Sequence, residues 1–416
     1  MEIAIDLTKE QCSIFQEYLH AAIRKLTGFP FGPNGNAGYR SDGCYEISML
    51  IDIPVESTLI PLELVMAIEP DGSLKKVEFF AQSEGIEDSV WNVHASNFIT
   101  CVLASALSKS LTRFFMRSIF CRIGSDLDGE YWLPGFRIAP AMPENEQSYL
   151  YNAERYLYID QEVNAIDQMH ASDIASERAL LYSARLSLIL DTGLHKPPNG
   201  MKWFLEDKGN EGLVSKLEHL GFKFPTFPER MPEKGVDCRL GKFDTSIFDK
   251  HQNSHGLLMC PRETRTILRG INNCKPNIRE AFDSCAKLYQ ISLNAGRGFP
   301  TIRLAYQVGA IESITQNVPN YKGFSDFIRK EYPIHDDSHD SFLEHLYSAI
   351  RSAHFHGGSF PLGEFDSKGR SWGISNKNEL DNWNTDIYAS KLMRQSIVHW
   401  IRREIMPKGD NQPEAK

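Results

Sequence analysis

The stretch Leu346-Tyr-Ser-Ala-Ile-Arg-Ser-Ala-His-Phe-His-Gly-Gly358 places an arginine, Arg351, and two histidines, His354 and His356, at the end of a predicted helix. Apolar residues recur at helical spacing from about residue 341, and Gly357-Gly358 supply a stop. Arginine offers a fixed charge and a fork of donors to phosphate oxygens, and histidine exchanges protons near neutral pH. This combination suits metal-free phosphodiester chemistry.

The choice between the two histidines depends on the helical face. On an ideal helix five positions rotate the chain by about 140°, so Arg351 and His356 converge only if the last turn frays. His354 follows Arg351 by three positions and lies nearer its face. His354 is therefore the alternative to His356 for proton transfer.

The stretch resembles the R-x4-6-H motif of HEPN domains (higher eukaryotes and prokaryotes nucleotide-binding), above all the Apea-like branch, in which a Y-x-x-R-[NS]-x-x-x-H-G run is typical. Upstream, Ala281–Tyr289 and Ile302–Ile314 are similar to the family's first two helices. The resemblance covers roughly residues 275–403. Ser352 follows Arg351 at a position where many active members carry Asn, Asp or His.

The resemblance implies a metal-independent endoribonuclease without a cofactor, with Arg351 and His356 as its catalytic pair. Glu312, on the second of the similar helices, would lie near the motif with Arg351 or a histidine as its counter-ion. HEPN relatives pair across a two-fold axis, which implies a homodimer with a shared cleft for RNA. A toxin or antiviral defence effector is expected, with an N-terminal sensing portion that responds to a regulatory or phage-derived trigger. The alternatives are a non-catalytic dimerisation or RNA-binding module, and an N-terminal portion that is itself the enzyme.

The rest of the chain predicts an α+β portion ahead of the all-α HEPN-like bundle. Antiparallel strands are predicted over 45–55, 59–68 and 75–81, and helices over 9–26, 93–120, 153–170 and 176–192. The predicted domains are 1–140 (α+β, with the antiparallel meander), 141–274 (mostly helical, regulatory) and 275–405 (HEPN-like), with a disordered tail over 406–416.

Composition narrows the classes of function. The chain of 416 residues has a net charge of −9, with 18 Lys and Arg against 17 Asp and Glu from residue 275 onward, and 27 against 37 before it. An acidic chain binds the phosphate backbone poorly, so any RNA contact should be confined to a cleft. The sequence suggests neither a secretory nor a membrane segment, and the eight scattered cysteines are typical of reduced thiols. A cytoplasmic protein that binds no membrane is expected.

Three further residue sets have weaker functional interpretations. A basic stripe is formed by Lys109, Arg113 and Arg117, which recur every four positions on a predicted helix, with Arg122 close behind. The stripe is interpreted either as a solvated face or as a docking site for nucleic acid or an acidic partner. Two sets contain residue types that bind metals. The first, a possible zinc set, lacks a C-x-x-C pair and consists of Cys238, His251, His255 and Cys260. The second is better explained by helix capping and consists of His335, Asp336, Asp337, His339, Asp340 and His345, so no metal is expected.

Overall fold

The protein, seen here in a computed structural model, is an α+β chain with antiparallel sheets in its N-terminal part and helices later. The structure describes residues 1–27, 35–82, 88–143, 149–150, 154–197, 201–207, 213–219, 221–227, 235–243, 257–332, 338–365 and 377–406. It forms two compact units, residues 1–116 with 162–175, and residues 117–161 with 176–416. The boundaries predicted near residues 140 and 274 both fall inside the second unit. Of the predicted tail, Met406 is buried and residues 407–416 lie outside the described residues.

The first unit is built on a five-stranded antiparallel sheet of order β1-β5-β4-β3-β2. Its strands are β1 (Glu2–Leu7), β2 (Gly35–Tyr39), β3 (Tyr45–Val55), β4 (Thr58–Ile68) and β5 (Leu74–Ala81), and its helices are α1 (Lys9–Thr27) and α2 (Asp88–Ser108). Along β3 every second residue from Met49 to Val55 is buried, because one face of the sheet covers the core. The predicted first helix and antiparallel meander are confirmed.

Helix α2 supplies its apolar face to the core of this unit. The buried positions recur every three or four residues and are Trp91, Ala95, Ile99, Val102 and Ala106. Within the described residues, the span Ser89–Ser108 is the one helix that is long and apolar enough to cross a membrane, and 28% of it is buried inside the protein. A soluble core helix can have the same length and composition.

One predicted helix is too long, and another is wrong. The helix predicted over 93–120 ends at Ser108, where Lys109 adopts a φ of 49°, and the chain continues as strand β6 (Thr112–Ile123). The helix predicted over 153–170 is strand β10 (Glu154–Ala165), followed by helix α3 (Gln168–Leu190). Six consecutive residues of β10 are buried, so the strand lacks the alternation that identifies a half-exposed strand. The helix predicted over 176–192 is confirmed, although it starts eight residues earlier.

The second unit combines short strands with helices. Its sheet has the order β14-β7-β8-β10-β6, with β13 paired to β8, and two smaller sheets have the orders β12-β11-β9 and β15-β16. The region 141–274 is predicted to be mostly helical, but in its described part helices occupy Gln168–Leu190 and Thr264–Asn273, and the other regular elements are strands. The strands are β7 (Glu130–Leu133), β8 (Phe136–Pro143), β9 (Tyr149–Leu150), β11 (Met201–Asp207), β12 (Leu213–His219), β13 (Phe222–Lys223), β14 (Gly235–Asp237), β15 (Leu240–Gly241) and β16 (Cys260–Pro261).

Helices follow from residue 264 and carry the motif. They are α4 (Thr264–Asn273), α5 (Pro276–Ala295), α6 (Pro300–Asn317), α7 (Phe324–Glu331), α8 (Ser338–Glu344), a π-helix (His345–Ser352), α9 (Ala353–Gly357) and α10 (Lys377–Glu404). Pro276 and Pro300 occupy the first turns of α5 and α6, where a missing N–H costs no hydrogen bond. Helix α6 packs between α5 and the π-helix, which brings Glu312 and Arg351 together.

Candidate functional site

A π-helix contains the first two residues of the motif, Arg351 and Ser352. Residues His345–Ser352 wind with i→i+5 hydrogen bonds, a form that is rare and is frequently found at functional sites. Leu346 and Ile350 are fully buried and fix this segment against the core. The residues that directly follow them, Tyr347 and Arg351, remain accessible at the surface.

Glu312 holds the guanidinium of Arg351. The Nε atom of Arg351 donates to Oε2 of Glu312 at 3.0 Å, and Nη2 lies 2.9 Å from the same oxygen in an ion pair; the side chains are 24% and 16% exposed. The partner predicted for Glu312 is therefore confirmed as Arg351. Within the described part of the chain, the Nη1 group of Arg351 donates no hydrogen bond, so one edge of the guanidinium is open to an added oxyanion.

Two aromatic rings flank this guanidinium. Tyr347 and Phe355 lie four residues before and after Arg351, with ring centroids 5.5 and 5.6 Å from its Cζ atom. They are 41% and 44% exposed, and Phe355 is supported by an edge contact with Tyr306 at 5.4 Å. Half-exposed rings beside a guanidinium form a surface on which unpaired bases can stack.

The two histidines have different environments. The Nδ1 atom of His354 lies 3.2 Å from the carbonyl oxygen of Ser359, and its ring packs on Phe355 and Phe360. His356 is exposed, and none of the described residues hydrogen-bonds its ring. The geometry thus engages His354 in packing and leaves His356 accessible.

The last turn does not fray. Helix α9 continues through Gly357, and Gly358 ends it with a left-handed φ of 63° while its N–H bonds to the His354 carbonyl. The convergence of Arg351 and His356 by fraying is therefore not observed. The side chain of Ser352, next to Arg351, is half-buried.

A buried carboxylate, which the sequence analysis missed, lies on α7. Glu331 is fully buried, accepts hydrogen bonds from the Tyr321 hydroxyl and from Nδ1 of His399 at 2.8 Å, and forms an ion pair with Arg403. Burial and the bond to Glu331 raise the pKa of Tyr321. The sequence carried a signal for it, because Phe324, Phe327, Ile328 and Glu331 follow a helical core pattern in which only the last is charged.

The predicted basic stripe is wrong, because its residues do not share a helix. Lys109 directly follows α2, and Arg113 lies on β6 with its Nη1 atom 3.8 Å from Glu162. Arg117, also on β6, is nearly buried and bonds both oxygens of the fully buried Asp160 at 2.6 and 2.9 Å. Arg122 is buried as well, and burial lowers its pKa to about 10.

The weak metal predictions lie partly outside the described residues. His251 and His255 of the predicted zinc set, and residues 335–337 of the acidic run, are in that undescribed part. Cys260 is fully buried, and burial raises the pKa of its thiol, with a smaller contribution from Cys238. In the described ranges no three His, Cys, Asp or Glu side chains are grouped as metal ligands.

Comparisons with protein-family models, with curated proteins and with solved structures found no match for this chain. The HEPN resemblance therefore rests on the residues of the motif and of the two upstream helices.

Proposed function

We propose that this protein is a metal-independent endoribonuclease of HEPN type, with the helical segment after residue 275 as its catalytic part. One observation carries the proposal. The guanidinium of Arg351 is anchored by Glu312, flanked by two half-exposed aromatic rings, and followed within two turns by an exposed histidine. This arrangement offers phosphate binding, base stacking and proton transfer on one short segment.

The reaction follows from these groups. Tyr347 and Phe355 stack the bases on either side of the scissile phosphate, and the open Nη1 edge of Arg351 donates to a non-bridging phosphate oxygen. The RNA 2′-hydroxyl attacks phosphorus, and Arg351 stabilises the negative charge that builds on the phosphorane. The 5′ oxygen leaves with a proton, giving a 2′,3′-cyclic phosphate and a 5′-hydroxyl. DNA is inert because it lacks the nucleophile.

Proton transfer favours two copies of the chain. The reaction needs a base at the 2′ oxygen and an acid at the 5′ oxygen, whereas one copy offers a single accessible motif histidine, His356. A two-fold dimer that shares one cleft supplies both, and it concentrates two Arg351 side chains there despite the net charge of −9. The first unit then serves as the sensing portion of a toxin or antiviral defence effector that answers a regulatory or phage-derived trigger.

A second function is favoured by one specific contact. The ion pair with Glu312 could itself be the role of Arg351, a bond that ties the π-helix to α6. The segment would then be a non-catalytic dimerisation or RNA-binding module. In that case Arg351→Ala would lower stability, while His356→Ala would change neither stability nor any nuclease activity.

The deciding experiment is cleavage of total RNA by the purified protein in EDTA. Wild type should cleave and His356→Ala should not, while His354→Ala tests the alternative histidine. Equal cleavage by wild type and His356→Ala would exclude the proposed catalytic role. A wild-type protein that binds RNA but leaves it intact would support the non-catalytic module.

A further inference from the structure

The second unit contains a cavity of about 360 Å³ that lies away from the motif in sequence. It is formed by the turn between β7 and β8, by α3 and by α4, and all its lining residues precede residue 275. The polar and aromatic side chains that line it are Phe136, Tyr182, Arg265, Arg269, Asn272 and Asn273. Its volume falls in the range of about 300–1,000 Å³ that small-molecule sites occupy.

One wall of the cavity is aromatic. The rings of Phe136 and Tyr182 contact each other with centroids 4.4 Å apart and planes inclined by 40°. Arg185 lies 5.8 Å from the centroid of Tyr182 and is fixed by two bonds to Asp283 at 2.8 and 2.9 Å. This wall is rigidly supported and suits a planar ring.

Helix α4 supplies positively charged side chains to the cavity. Arg265 and Arg269 are four residues apart and so lie on one face of that helix, and both line the cavity. The Nη2 atom of Arg265 donates to the carbonyl of Trp132 at 2.7 Å, which fixes the inner guanidinium, while Arg269 is exposed. The cavity is lined by two arginines and no carboxylate, although the chain as a whole is acidic.

We propose that this cavity binds a small anion attached to a planar ring, specifically a nucleoside phosphate. The base would lie against Phe136 and Tyr182, and the phosphate would bind the two guanidinium groups. Two guanidiniums on one helix face match a dianionic phosphate better than a single carboxylate. Asn272 and Asn273 add amides that donate to and accept from a base edge. The site is independent of RNA cleavage by the Arg351 motif.

Calorimetric titration of the full-length protein tests the assignment. The probes are adenosine monophosphate, adenosine, inorganic phosphate and benzoate, each at low salt. Adenosine monophosphate should bind saturably and at least about tenfold more tightly than the other three probes. Adenosine lacks the phosphate, inorganic phosphate lacks the ring, and benzoate carries a weaker anion. No saturable binding of adenosine monophosphate, or equal binding of benzoate, would overturn the proposal.

Two variants locate the binding. Arg269→Ala should weaken adenosine monophosphate at least about tenfold, and the exposed Arg262→Ala, which removes the same charge outside the lining, should leave it within about twofold. Tyr182→Leu should weaken the nucleotide while inorganic phosphate binds as before. Melting temperatures establish that each variant is folded. An equal loss in Arg269→Ala and Arg262→Ala would mean nonspecific attraction and would contradict the site.

Discussion

Replacing Glu312 by glutamine separates charge from shape at the candidate site. Oε2 of Glu312 accepts a hydrogen bond from Nε of Arg351 and forms an ion pair with its Nη2, and both side chains are less than a quarter exposed. A hydrogen bond to a charged group contributes about 1.5–3 kcal/mol and a neutral one about 0.5–1.5. Glu312→Gln should therefore lower the free energy of unfolding by roughly 1–1.5 kcal/mol. It should also slow RNA cleavage about tenfold, because a guanidinium that is held less firmly is misplaced for part of the time.

The test is a double-mutant cycle that combines Glu312→Gln with Arg351→Ala. Stability is measured by urea unfolding, and activity is measured by cleavage of a single-stranded RNA oligonucleotide in EDTA. The coupling energy for stability should be about 1 kcal/mol, and Glu312→Gln should have no further effect on cleavage once Arg351→Ala is present. Glu344→Gln, at an exposed position just before the π-helix, is the matched control. Faster cleavage by Glu312→Gln would show that Glu312 sequesters Arg351 and would refute the positioning role.

The remaining predictions concern the motif and its helix end. His356→Ala should abolish cleavage with an unchanged melting temperature, whereas His354→Ala should lower the melting temperature because His354 packs on Phe360. If His354→Ala alone loses cleavage while it keeps its stability, the roles of the two histidines are reversed. Arg351→Lys should be nearly as inactive as Arg351→Ala in the same assay, since lysine keeps the charge without the planar fork, and near-normal cleavage would indicate a general electrostatic role. Light scattering should give a homodimer, and an active monomer would exclude the shared cleft. Gly358→Ala should cost about 1 kcal/mol in thermal unfolding because of its positive φ, while Gly357→Ala should be nearly neutral; equal losses would contradict the left-handed cap.

The first unit shows why some elements could be predicted from sequence. One face of β3 and β4 covers the core and the other is solvated, so burial alternates with a period of two along the chain. Strand β10 has six buried residues in a row, and its apolar pattern is not distinguishable from a buried helix by periodicity. The same ambiguity extended the helix prediction through Lys109 into β6.

The local part of the site was predictable, because the motif residues and the helix stop at Gly358 belong to one segment. The pairing of Glu312 with Arg351 spans 39 residues, and its expectation rested on the family resemblance together with the cost of leaving a carboxylate unpaired. By contrast, His399 meets Glu331 across 68 residues, and only the packing of α7 on α10 sets that contact. A π-helix is likewise invisible in the sequence pattern, because the i→i+5 bonds leave the apolar spacing close to that of an α-helix.

The arrangement of side chains along the motif bears directly on the dimer. Leu346 and Ile350 form a buried row. Tyr347, Arg351 and Phe355, which are spaced four residues apart, form an accessible row beside it. This accessible row holds a cation and two rings but no imidazole. Since α9 stays helical through Gly357, His356 is not drawn toward that row by fraying. A phosphate seated on Arg351 would therefore find its proton-transfer group most directly on His356 of a second copy, and this requirement makes assembly part of the proposed chemistry.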